Sequence, residues 1–174
     1  MKRKAALVFS VCLSVAAVAL AEDQDSCPLH AEHMKQAEHQ SMIERGDAVM
    51  GFAASKTTHH FRLLNDGGSI EVSANEATDA SSIASIRKHL SLVAAQFGDG
   101  NFSMPEKTHA VAPPGVQGMS RLRTEIHYSY EETARGARVR IATANPEALH
   151  AIHDFLKFQI QEHETGDPLQ PSDR

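Results

Sequence analysis

The chain has almost nothing to hold it together covalently. Its two cysteines are Cys12 and Cys27, and Cys12 lies in an N-terminal apolar segment that reads as a cleaved leader. The remaining single thiol excludes an internal disulfide and leaves the fold to packing or bound metal. In an oxidising compartment such a thiol invites an occupant, either a metal ion or a second chain. Enzyme signatures are also missing: there is no Gly-x-Ser-x-Gly, His-Glu-x-x-His, phosphate loop or dinucleotide fingerprint. Positive charge is scarce. Three of the 17 Lys and Arg and none of the 22 Asp and Glu fall in the leader, leaving 14 against 22, a net charge of −8 with histidine neutral. That balance excludes nucleic acid as an expected partner.

The leader itself is plain. Lys2, Arg3 and Lys4 precede an uncharged run from Ala5 to Leu20, and Ala19-Leu20-Ala21 supplies small residues before Glu22. This is the pattern of a secretory signal peptide, with cleavage expected near Ala21 and a periplasmic or secreted product. The run is too short for a usual bilayer span, so no permanent membrane anchor is expected. Removing residues 1 to 21 leaves 153 of 174, enough for one domain with a core of its own.

What the mature chain has in quantity is histidine, all 11 of them. Pro28 to Arg45 has helical spacing with Gly46 to close it, but a thin apolar face, so it reads as a mobile or peripherally docked helix. Thr58 to Leu64, the turn Asn65-Asp66-Gly67-Gly68, and Ser69 to Ala74 form a hairpin. Asp79 then caps a helix to about Phe97, with Ile83, Ile86, Leu90, Val93 and Phe97 along one face. The pattern returns in a second hairpin, Glu125 to Glu131 and Arg138 to Thr143 around Arg135-Gly136. A helix follows, opened by Asn145-Pro146, striped by Leu149, Ile152, Leu156 and Ile160, and stopped by Gly166.

His60-Phe61 aligns with His127-Tyr128, Ile70 and Val72 with Val139 and Ile141, and IRKHL (86 to 90) with IHDFL (152 to 156). The expected fold is α+β: two ββα repeats build a four-stranded antiparallel sheet with two helices on one face, plus a peripheral N-terminal helix. The division is leader 1 to 21, histidine- and methionine-rich helix and linker 22 to 56, duplicated domain 57 to 168, and a disordered tail 169 to 174. Gly98 to Met119 is long for a connection and reads as a functional or disordered loop.

Three groups of histidines could carry chemistry. The opening helix offers Cys27, His30, His33, Met34, His39 and Met42 within sixteen residues, a soft donor set suited to Cu(I), with Zn possible through Cys and His. A histidine-rich solvated helix is the plainer reading. On the first strand, period-two alternation sends His59 towards the helices and His60 with Arg62 to the open face, where the alignment puts His127 beside His60. His59 then needs a partner, with His89 nearest by register and His109 reaching in from the long loop, either as a hydrogen-bonded core group or as a metal site. His150 and His153 read as solvated, and His163 as a cation at a helix C-terminus.

The motifs RGDAVMGF, TTHHF, IRKHL, PPG and AIHDFLKFQIQEHETGDP, in this order over Arg45 to Pro168, resemble those of a family of small exported bacterial proteins of uncharacterised activity. The resemblance implies export from a bacterial cell and makes His59, His60 and His89 part of a shared pattern. It carries no activity with it.

The leading expectation is an exported protein that binds a late transition metal, copper favoured and zinc possible, for buffering or delivery, with another exported protein as a further partner. A second is a non-catalytic module holding a partner protein or an anionic ligand through Arg62, Arg138 and Arg140. A third, against the lean of the motifs, is a histidine-metal enzyme built on His59, His89 and His109.

Overall fold

The computed structural model describes residues 28 to 173, and the leader and Cys27 lie outside the described residues. The chain runs α1 (Pro28–Met50), β1 (Thr57–Leu64), β2 (Gly67–Ala74), α2 (Ala80–Gly98), α3 (Ser103–His109), α4 (Val116–Arg121), β3 (Ile126–Thr133), β4 (Gly136–Thr143) and α5 (Pro146–Glu162). The strands form one antiparallel sheet in the order β1-β2-β4-β3. α2 and α5 pack on one of its faces. The fold is therefore the expected α+β duplication.

Alternation builds the core from the sheet side. Phe61, Leu63, Ile70, Val72, Val139 and Ile141 are buried against the helix stripes Ile86, Leu90, Val93, Phe97 and Ile152, Phe155, Leu156, Ile160. Both helices start on side-chain caps: Asp79 accepts from the Ser82 amide at 3.0 Å, and Asn145 from the amides of Glu147 and Ala148.

The register of the repeat keeps the alignment of Ile70 and Val72 with Val139 and Ile141 and that of the two helices, and shifts that of His60-Phe61. Thr57 pairs with Ala74 and Ile126 with Thr143, so the strands of the two halves match at an offset of 69. The helix caps Asp79 and Asn145 match at 66. His59, His60 and Phe61 thus correspond to Tyr128, Ser129 and Tyr130. The hairpin turns are also tighter than expected, because the second strands begin at Gly67 and Gly136. A Cβ on Gly67 would lie 2.0 Å from the Ile141 carbonyl oxygen, and one on Gly136 would lie 2.0 Å from that of Val72. Only glycine lets the two central strands approach there.

Three peripheral segments depart from expectation. α1 passes through Gly46 and ends at Gly51, whose φ of +77° and amide bond to the Asp47 carbonyl make the left-handed stop. A glycine inside a helix costs only about 1 kcal/mol; a positive φ ends it. α1 is docked, with Met42 4% exposed and Arg45 Nε donating to the Thr108 carbonyl at 2.9 Å. The stretch 98 to 119 holds α3 and α4, with Gly115 against the Ala151 carbonyl of α5. Finally, the described part of the tail, to Asp173, runs along the β1 edge, where Ser172 bridges Leu64 and exchanges backbone hydrogen bonds with Leu63 and Asn65. Exposed edge amides and carbonyls supply the reason.

Candidate functional site

Four elements bring imidazoles to one cavity of about 70 Å³. β1 supplies His59, α2 supplies His89, α3 ends on His109, and His163 is the C-cap that follows α5. Met50, Met104 and Gln159 share the lining. His59 arrives there because it alternates with Phe61 and Leu63 on the inward face. His89 stands one residue before buried Leu90 on the edge of the α2 stripe. The rings of His59 and His163 lie nearly parallel with centres 5.8 Å apart, and His109 meets His163 edge-on at 5.2 Å. Phe52 lies 6.2 Å from His59 and 5.7 Å from His89.

Burial keeps these rings neutral. It pushes His59 down to about 4, aided by the neighbouring His89 and His60 and opposed by Asp47. It pushes His89 down to about 4. His163 falls to about 3 through burial and then through His59, His109 and His39. The expected cation at the helix C-terminus is therefore a neutral ring, because desolvation outweighs the helix dipole. His109 is also lowered by burial, against the raising effects of Gln159 and Glu162.

Neutral rings carry lone pairs, and here few are used. His59 Nε2, His109 Nδ1 and Gln159 Nε2 are buried without a hydrogen-bond partner among the described residues. His109 Nε2 lies 3.2 Å from Gln159 Oε1, which assigns the proton to Nε2 and leaves Nδ1 as an acceptor. Glu162 stands 3.9 Å from that Nδ1, beyond hydrogen-bond reach. Each such orphan costs roughly 1 to 3 kcal/mol.

The duplication shows that the fold does not require imidazoles at these positions. β1 packs against α5 as β3 packs against α2. At the two offsets, His59, Gln159 and His163 correspond to Tyr128, Val93 and Phe97, and His89 to Phe155. Phe97 and Tyr128 meet edge-on at 6.1 Å. The β3–α2 contact is filled with Tyr128, Val93 and Phe97, and the β1–α5 contact with His59, Gln159 and His163; at the remaining pair the imidazole, His89, is on α2 and its aromatic mate, Phe155, is on α5.

The other sequence candidates separate. His60 Nδ1 is 2.9 Å from Asp167 Oδ1, while Asp167 Oδ2 accepts from the Phe61 amide at 3.0 Å. Burial acts to raise Asp167, but bonds from Thr165, Phe61 and His60 outweigh it and hold the carboxyl low. His127 is not beside His60. β1 and β3 are opposite edges of the sheet, three strand spacings or roughly 14 Å apart. Correct symmetry relates His60 to Ser129.

On α1, His33 and Met34 are exposed, His39 is half-buried and Met42 is in the core; Met34, His39 and Met42 line one groove between α1 and α5, and His33 is not among its walls. The side chain of His30 lies outside the described residues. His153, expected in solvent, hydrogen-bonds the Leu64 and Gly67 carbonyls at 2.9 and 3.0 Å, which fixes the first hairpin turn. On the open face Arg138 pairs with Glu71 at 2.7 Å and Glu131 at 3.6 Å, and Arg140 pairs with Asp66. Two of the three arginines expected to hold an anion are thus neutralised within the sheet.

Among the described residues, no three His, Cys, Asp or Glu side chains stand together in a geometry that could hold a metal ion. None of the described helices is long and apolar enough to cross a membrane. No family model, curated protein or solved structure matches the chain.

Proposed function

We propose that the protein binds a late transition metal ion, Cu(I) favoured over Zn, in the pocket formed by His59, His89, His109 and His163, and serves to buffer or deliver it. The observation that carries this reading is the replacement of an apolar packing position by neutral imidazoles whose lone pairs lack partners. Two imidazoles on one tetrahedral ion set their ring centres roughly 5 Å apart, close to the 5.2 and 5.8 Å separations here. Binding then requires the rings to turn about χ2 and aim their nitrogens at a common point. Uncharged nitrogen and thioether donors suit a soft monovalent ion, since a divalent ion would bring two uncompensated charges into a pocket without a carboxylate among its lining residues. A cavity of about 70 Å³ has room for an ion and a few waters, which favours binding over turnover of an organic substrate.

Anaerobic titration of the signal-free protein with Cu(I) against a chromophoric chelator tests the reading. Sub-micromolar binding is expected, with at least a tenfold loss in His59→Phe and in His163→Phe. Affinity weaker than about 1 μM, or unchanged in both variants, overturns it.

A further inference from the structure

Two depressions share walls with the histidine pocket. A recess of about 280 Å³ reaches Met50, His89 and Met104 past Ser85, Lys88 and Leu92. On the other side, a wider groove between α1 and the end of α5 is lined by Met34, His39 and Glu162 and closes on His109, which is also a wall of the pocket. Building on the metal-binding reading above, we infer that the α1–α5 groove is the route by which the ion is loaded, with His39 the outer donor and His109 the donor at which it crosses into the pocket.

His109 is placed for a crossing. Its Nε2 bonds Gln159, a pocket residue, while its unpartnered Nδ1 looks towards Glu162, a groove residue. His39 and His109 are both walls of this groove. Met34, 49% exposed, gives the groove a thioether at its mouth. Charge separates the two openings. The groove carries Glu38, Glu162 and Glu164 against Lys35 and Arg45, a net negative lining, whereas the only charged side chain at the recess is Lys88. A cation is drawn to the first and repelled by the second. The passage is ligand exchange throughout: one donor bond forms as another breaks, and the ion keeps its oxidation state.

Detailed balance supplies the test, because a group that acts only along the route changes loading and release by the same factor. Cu(I) is transferred from its bicinchoninate complex to the signal-free protein in a stopped-flow instrument, and release is followed with excess chelator. His39→Leu should slow both by about tenfold, Glu162→Gln should slow both less, and Ser85→Trp, which fills the recess, should leave both within twofold. Rates within twofold of wild type in His39→Leu, or a tenfold loss in Ser85→Trp, sink the route while the pocket stands. A wild-type protein that takes no Cu(I) sinks the pocket and the route together.

Discussion

Acid should unfold this protein well above the pH at which its carboxylates protonate. His59 and His89 are held down to about 4 and His163 to about 3, while the unfolded chain restores each to near 6.5. Between these limits the unfolded state binds more protons, so stability rises with pH. Above 6.5 the three rings contribute no pH dependence. As pH falls below 6.5 the unfolded chain gains protons that the folded pocket refuses, and the loss levels off only below the folded values. At pH 5 the imbalance is about three protons, a slope of roughly 4 kcal/mol per pH unit. A shift of this size is on the order of 3 kcal/mol per ring, though part of it is mutual repulsion, so the three do not simply add. A domain worth 5 to 15 kcal/mol therefore loses much of its margin by pH 5. Urea unfolding at pH 7, 6 and 5, with fixed m-values, measures the slope, and His89→Phe should reduce it by about one proton. A slope of one proton or less in the wild type refutes the neutral, buried cluster.

Two further outcomes follow from the frame around the pocket. Asp167→Asn removes the charge that bonds both His60 and the Phe61 amide; it should cost about 2 kcal/mol at pH 7 and raise hydrogen exchange at Phe61. Gly136→Ala drives a Cβ to 2.0 Å from the Val72 carbonyl oxygen and should cost about 3 kcal/mol or more by chemical denaturation.

The fold was legible in the sequence where local signals agreed. Asp79, Asn145 and Pro146 mark helix starts by chemistry that acts within four residues, and strand alternation alone placed His59 inward and His60 outward. Register was harder. The pair His60-Phe61 looks like His127-Tyr128 by residue type, yet pairing obeys the close approach at Gly67 and Gly136, which shifts the match by two. His89 and His109 were readable as companions of His59. His163 was not, since its place at a helix end suggested a charged cap, and only tertiary burial makes it neutral. Gln159, spaced four residues before it on the same face, was the available signal. The soft donors of α1 were legible in part: Met34, His39 and Met42 face one groove with α5, His33 is exposed, and Met42 also serves the core, which a short sequence interval does not show.

If the imidazoles serve a ligand rather than the fold, the protein should become more stable when they are removed in favour of the packing used where β3 meets α2. His59→Phe with His163→Phe copies the Tyr128–Phe97 contact without the Tyr128 hydroxyl, which is itself buried and unpartnered. The change removes the orphaned His59 Nε2, worth roughly 1 to 3 kcal/mol, and adds an aromatic pair worth about 1 kcal/mol; the cavity of about 70 Å³ gives the larger rings room. A net gain of about 2 kcal/mol at pH 7 corresponds to a Tm rise of roughly 4 to 8 °C in a chain of this size, and the gain should widen at pH 5, where two fewer protons are taken up on unfolding. Cu(I) binding should disappear in the same variant. Calorimetry decides between the two roles. A fall in Tm would mean that the rings make contacts the native packing depends on, and their polarity would then need a structural explanation. A rise with lost binding is the signature of a site maintained at the expense of stability.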